Sequence, residues 1–258
     1  VFFFEGYFGV ESLQGKRQVF RLQGLAPKSP YFRKLFKELS ESDQRKLRNT
    51  VLRAINIRQL SPIGENTSVY YIFERLNTGG TPLRPQEIRN VVFRGELTSV
   101  LKELNLNTNW RIILGKSTLD KHQTDVELVL RIFALIQNPN SYEKPMKGFM
   151  NKAMKKHRDG NTTEVKLFKS AFISTAQLLV EKLGAKPFHL RGKLNTSALD
   201  SVFCTLLINR NNIPDNLAER YAALTSNPEF EQLTTIGTTD TATVKARFRL
   251  VRQYLLGD

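Results

Sequence analysis

The sequence predicts an α+β protein dominated by helix, and three observations carry that expectation. Two runs read as strands: Arg17-Gln-Val-Phe-Arg-Leu22, which alternates with the period of a strand, and Thr50-Val-Leu-Arg-Ala-Ile-Asn-Ile-Arg58, where Val51, Ala54 or Ile55 and Ile57 mix with Arg53 and Asn56. The stretch Ser68 to Asn90 reads as helix, glycine break, helix. From about residue 106 onward the apolar spacing is helical only. A small mixed α/β core over residues 1–105 and a helical domain over 106–258 follow, with the boundary expected between Asn105 and Asn109.

Taken in order, residues 1–8 are too apolar for a free terminus and read as the interior of an aromatic helix, so residues are expected to precede Val1. After the first strand and a loop from Gly24 to Pro30, the residues Tyr31, Phe32, Leu35, Phe36 and Leu39 recur at helical spacing. Ser40 or Ser42 can cap the next short, charged helix. The second strand ends at Pro62 and Gly64. In the central segment Val69, Ile72, Phe73 and Leu76 form the expected core face of the first helix. Gly79 and Gly80 supply positive-φ positions for the reversal, Pro85 suits the first turn of the second helix, and Glu87 lies there on the favourable side of its dipole. Leu97, Val100, Leu101 and Leu104 make a further amphipathic turn. Residues 125–136 are apolar on most faces and predict a buried helix, with Glu127 and Arg131 spaced for an ion pair. Further helices are expected near 145–157, 162–183, 196–208, 215–224 and 240–256.

By residue chemistry alone the central turn has two readings: a well-capped helical hairpin, or a ligand site. Backbone N–H groups of a Gly-Gly turn leading into a helix N-terminus make an anion cradle, to which Arg75 or Arg89 could add charge. The run from Phe73 to Asn90 resembles the Phe-x-Arg-Leu-Asn-x-Gly-Gly-x-x-Leu-x-x-x-Glu-x-Arg-Asn signature of the GmrSD-type domain, the ParB/sulfiredoxin-like domain of modification-dependent restriction and phage-defence proteins. The resemblance implies a ParB-like core and binding and hydrolysis of a nucleoside triphosphate, with or without Mg2+, in regulating DNA restriction. By position, Asn77 would hydrogen-bond the ligand or orient water, and Arg75 would neutralise phosphate. Thr78, Gly79 and Gly80 would form the nucleotide cradle, and Glu87 would contact the nucleotide or else cap or brace the loop. A buried Arg75–Glu87 pair between the helices is the structural alternative. The family's companion motif, Asp-Gly-Gln-Gln-Arg, does not occur in these residues. It is expected upstream of Val1, so hydrolysis would depend on a segment missing from this chain. Asp125-x-Glu-Leu-x-x-Arg131 resembles a second family pattern of structural character.

Composition sets the remaining bounds. The 258 residues carry 39 Lys and Arg against 24 Asp and Glu, a formal net charge of +15, which points to a polyanionic partner such as DNA. On the run 241–255, Lys245, Arg249 and Arg252 share one face, while Val244, Phe248, Val251 and Leu255 share another. Lys152, Lys155 and Lys156 form a second basic cluster. Both are candidate DNA contacts, or solvated surface. No P-loop or His-Glu-x-x-His motif occurs, and His122, His157 and His189 lack metal-ligand spacing, so no metal site is expected. Nothing offers an HNH nuclease centre, so cleavage would belong to an HNH-type partner subunit or domain. The one cysteine, Cys204, sits in an apolar run and reads as core. A cytoplasmic setting without a membrane anchor is expected. Competing roles are a non-catalytic DNA-binding module and a subunit completed by a partner chain, including a homo-oligomer.

Overall fold

The computed structural model describes residues 21–51, 67–76, 82–137 and 139–257. The chain divides into two compact units, residues 1–58 and 59–258.

Within the first unit, Arg21 faces Leu35 in an isolated antiparallel bridge, and the Leu22 N–H donates to Lys34 O at 3.0 Å. The apolar run from Tyr31 forms turns and a single 3-10 turn, Phe36–Glu38, not the expected amphipathic helix. Leu35, Phe36 and Leu39 are buried, but Tyr31 and Phe32 are exposed, so the helical spacing does not correspond to one packed face. Glu38 accepts the Leu35 N–H at 2.8 Å and fixes this turn. Ser40 then caps α1 (Glu41–Arg48) by accepting the Asp43 N–H.

The second unit is built from α2 (Thr67–Leu76), α3 (Pro85–Val92), α4 (Glu96–Asn105), α5 (Thr108–Leu114), α6 (Thr124–Gln137), α7 (Met146–Lys156), α8 (Thr163–Leu183), α9 (Thr196–Ile208), α10 (Leu217–Thr225), α11 (Pro228–Leu233) and α12 (Thr241–Leu256). The five helices expected after residue 145 are all present, with ends shifted by a few residues at most. The short α11 escaped the sequence reading, although Asn227 as cap and Pro228 at the first helical position mark its start.

At the centre lie α6 and α9. Every residue of α9 from Ser197 to Leu207 is buried, and α6 buries Val126, Val129, Leu130, Ile132, Phe133, Ala134 and Leu135. A helix apolar all round can be stable only when others enclose it. Helices α4 and α7 cover α6, α8 and α12 cover α9, and α5 packs on α8. Trp110 on α5 sits among Phe172 and Phe203 with ring centroids 5.2 and 5.8 Å away, and its indole N–H donates to Asn105 at 3.1 Å. Gly95, which precedes α4, is needed for close approach: a Cβ there would lie 2.2 Å from the Arg158 carbonyl oxygen, which accepts the Leu97 N–H.

The α+β expectation is overturned. Among the described residues there is no strand or sheet, only the single bridge in the first unit. Most of both expected strands, residues 17–20 and 52–58, lies outside the described residues; Thr50 and Val51 are non-helical, and Val51 is exposed. Among the described residues the mixed core expected around the central motif does not form, for a physical reason. Tyr70, Ile88, Phe93, Leu97 and Leu101 are buried in the same hydrophobic cluster as Phe133, Phe172 and Leu206. Their burial is supplied by neighbouring helices, with no sheet face among the described residues. Residues on both sides of position 105 share this cluster, and the division of the chain falls at 58/59, away from the expected 105/106 boundary.

Candidate functional site

The described parts of the central segment are α2 and α3, with Asn77, Thr78, Gly79 and Gly80 outside the described residues. The buried face of α2 differs from the expected one. Val69 and Leu76 are exposed, and Tyr70 is the residue that is fully buried. Its ring stacks on Phe93 at 6.4 Å, with the Lys147 ammonium 5.4 Å and the Arg89 guanidinium 5.9 Å from its centroid. Burial pushes the Tyr70 hydroxyl pKa up to about 12, so it stays protonated. Lys147 of α7 also pairs with Glu74, tying α7 to α2.

On α3 the polar signature residues turn inward. Arg89 is buried and donates through Nε to Asn151 Oδ1 at 2.8 Å, and through one terminal nitrogen to Glu127 at 2.8 Å and Gln86 at 3.1 Å. Gln86 donates onward to Asn90, which donates to Gln123 at 2.5 Å. Glu87 accepts the Arg84 N–H at 2.6 Å, capping α3, and its other oxygen lies 3.6 Å from His122 Nδ1. Glu87 therefore holds the helix end. Arg75 is exposed on the last turn of α2, and its expected alternative pairing with Glu87 is not observed.

For a nucleoside triphosphate, the described part of the motif fits the anion through Arg75. It does not fit a metal: Glu74 and Glu87, its carboxylates, are engaged by Lys147 and by the α3 cap. Among the described residues no group of three His, Cys, Asp or Glu gathers as a metal site.

Asp125, Glu127 and Arg131 of α6 all form ion pairs, but none of these is local to the helix. Glu127 and Arg131 do not pair with each other as their spacing suggested. Glu127 pairs with Arg89, and Arg131 Nε donates to Asp200 at 2.6 Å. Asp200, fully buried on α9, also faces Arg247 of α12 at 3.5 Å, and Arg247 donates to the carbonyls of Leu233 and Thr238. Asp125 pairs with Arg111 at 2.8 Å. Burial alone would push the Asp125 carboxyl up, but bonds from Asn105, the Asp120 N–H and Arg111 outweigh it and hold the carboxyl below its ordinary range. Each charge of α6 thus fastens a different helix. Cys204, beside this network, is buried, and burial pushes its thiol well above the usual range.

The candidate DNA contacts occupy two faces. Lys245, Arg249 and Arg252 are exposed along α12, opposite buried Val244, Val251 and Leu255. With Asn140, Thr205 and Asn209 they border a shallow cleft of about 390 Å³. The α7 cluster separates. Lys152 and Lys156, one turn apart, line a cleft of about 470 Å³ between α6 and α7, and Lys155 faces elsewhere. Its walls include Tyr71, Ala134, Pro145 and Phe149, and it contains Asn151, not singled out from sequence, and His157, considered there only as a metal ligand. The signal for Asn151 was a polar residue on the buried side of a lysine-rich helix, between Met150 and Met154.

Comparison with protein-family models, with curated proteins and with solved structures gives no match.

Proposed function

We propose that this chain is a nucleotide-dependent DNA-sensing or regulatory module of a prokaryotic modification-dependent restriction or phage-defence system. The reading rests on the signature from Phe73 to Asn90. Support comes from the way its two helices are held: Tyr70 anchors α2 and Arg89 anchors α3 in the same core, so segment 77–81 joins two fixed ends. In this reading Thr78, Gly79 and Gly80 cradle phosphate through backbone N–H groups, Asn77 orients ligand or water, and exposed Arg75 offsets charge. Glu87 is a positioning residue that keeps the entry to α3 in place. The ligand is a nucleoside triphosphate. Hydrolysis requires the companion Asp-Gly-Gln-Gln-Arg segment, which is not within residues 1–258. DNA is the macromolecular partner, an HNH-type nuclease subunit or domain performs cleavage, the module works in the cytoplasm, and a second copy or partner chain can complete its site. No helix among the described residues is long and apolar enough to cross a membrane.

The test is nucleotide hydrolysis by the purified chain, with and without DNA, beside Asn77→Ala. Turnover abolished in the variant supports the reading. Absence of both turnover and nucleotide-dependent protection from proteolysis removes it for this chain.

The α12 stripe favours a second reading, a DNA-binding module without hydrolysis, because its cations lie on one exposed helix face. That module would bind DNA with a steep salt dependence and no response to nucleotide.

A further inference from the structure

The cleft between α6 and α7 carries features that the packing of the helices leaves unexplained. Asn151 is fully buried, and the direction of its amide is set: Oδ1 accepts from Arg89 Nε at 2.8 Å, which leaves Nδ2 as a donor. That Nδ2 has no partner among the described residues. Buried His157 turns Nδ1 toward Thr162 Oγ1 at 3.3 Å, and its Nε2 is likewise without a partner there. A buried donor left unsatisfied is costly, so the Asn151 Nδ2 on this cleft calls for an acceptor. Above these nitrogens stand the exposed cations Lys152 and Lys156. Lys144 also lines the cleft but pairs with Asp240 at 2.9 Å, and one carboxylate, Glu143, lies on the exposed rim. The rest of the lining is mainly apolar, with the rings of Tyr71 and Phe149. The volume of about 470 Å³ falls among small-ligand pockets, which span about 300–1,000 Å³.

We infer that this cleft binds a small phosphorylated ligand with a planar body: a nucleotide, free or as a unit of a single strand. Phosphate supplies several acceptor oxygens together with the charge that Lys152 and Lys156 complement. A planar base suits the aromatic and apolar walls. The inference rests on α7 and its neighbours, not on residues 77–81, so it stands or falls separately from the proposed hydrolytic site.

Isothermal titration calorimetry of the full chain with inorganic phosphate, AMP and a short single-stranded oligodeoxynucleotide tests it. Asn151→Asp is the central variant, because it keeps the oxygen that Arg89 needs while replacing the unpaired donor by an anion. Lys152→Ala/Lys156→Ala alters only exposed charge and guards against misfolding of the first variant. Binding of AMP or phosphate weakened at least tenfold in both variants is the expected result for a free nucleotide. Binding of the oligonucleotide alone, weakened in the same way, identifies a strand as the source. No binding of any probe, or affinity within twofold of the parent chain in Asn151→Asp, overturns the inference. Binding lost in Asn77→Ala but kept in Asn151→Asp overturns it too, while leaving the proposed function in place.

Discussion

Helices α3 and α12 both carry arginine in amphipathic sequence, yet α3 buries its one arginine while α12 buries one and exposes two. On α3, Arg89 is buried among Asn151, Gln86 and Glu127. On α12, Arg247 is buried against Asp200, whereas Arg249, two residues later, is exposed with Lys245 and Arg252. Residue type and local spacing do not separate these cases. What separates them is whether a carboxylate or amide from a distant part of the chain lies on the same side. A guanidinium enters a core only where such partners offset its desolvation, and otherwise it stays in water.

The sharpest way to break this comparison is to remove the shared partner. Asp200→Ala leaves Arg131 and Arg247 facing each other without an anion, and urea unfolding should show a loss of about 3–5 kcal/mol. Arg89→Met should cost less, roughly 2–3 kcal/mol, because the carboxylate it abandons, Glu127, keeps some contact with water. If Arg89→Met were neutral, α3 would be held by its apolar face alone.

Acid tests the same principle at a neutral site. Burial first, and then the Lys156 ammonium, lowers the His157 pKa below its usual 6.5 against a smaller opposing effect of Glu164. The unfolded chain then takes up the proton at a higher pH than the folded one. Stability should be full above about pH 6.5 and fall as pH drops through that value toward the folded pKa. Denaturation midpoints across pH 7 to 5 should show this decline, and His157→Gln should flatten it.

Gly148→Ala is expected to stabilise α7 by about 0.5–1 kcal/mol in thermal unfolding, because glycine inside a helix is unfavourable and the new Cβ would meet its nearest neighbours only at ordinary contact distance. Smallest of all in stability is the triple change Lys245→Ala, Arg249→Ala, Arg252→Ala, expected within about 0.5 kcal/mol for exposed positions. If the stripe follows phosphates, the same variant should lower the salt slope of DNA binding by about 3, and an unchanged slope would reduce it to solvated surface.

The amino-acid sequence by itself determined most helices of the second unit, though not the short α11, because their apolar residues recur near every third or fourth position over long stretches and some starts carry Thr or Asn caps, as at Thr162 and Asn195. It also marked the α12 face that is exposed, since spacing along one helix suffices for that. Where the helices pack on one another was not legible. Val69 and Leu76 matched a core face as well as Tyr70 did, and only the position of Phe93, Arg89 and Lys147 selects Tyr70. Glu127 and Arg131 had good local spacing, but Arg89 and Asp200, distant in sequence, lie closer to ideal partners. The cleft with Asn151 and His157 was invisible for the same reason: its walls come from α2, α6 and α7, and a one-dimensional pattern does not say which helices meet. Periodicity reports which side of a segment avoids water; tertiary structure decides what that side, and each buried charge, finds there.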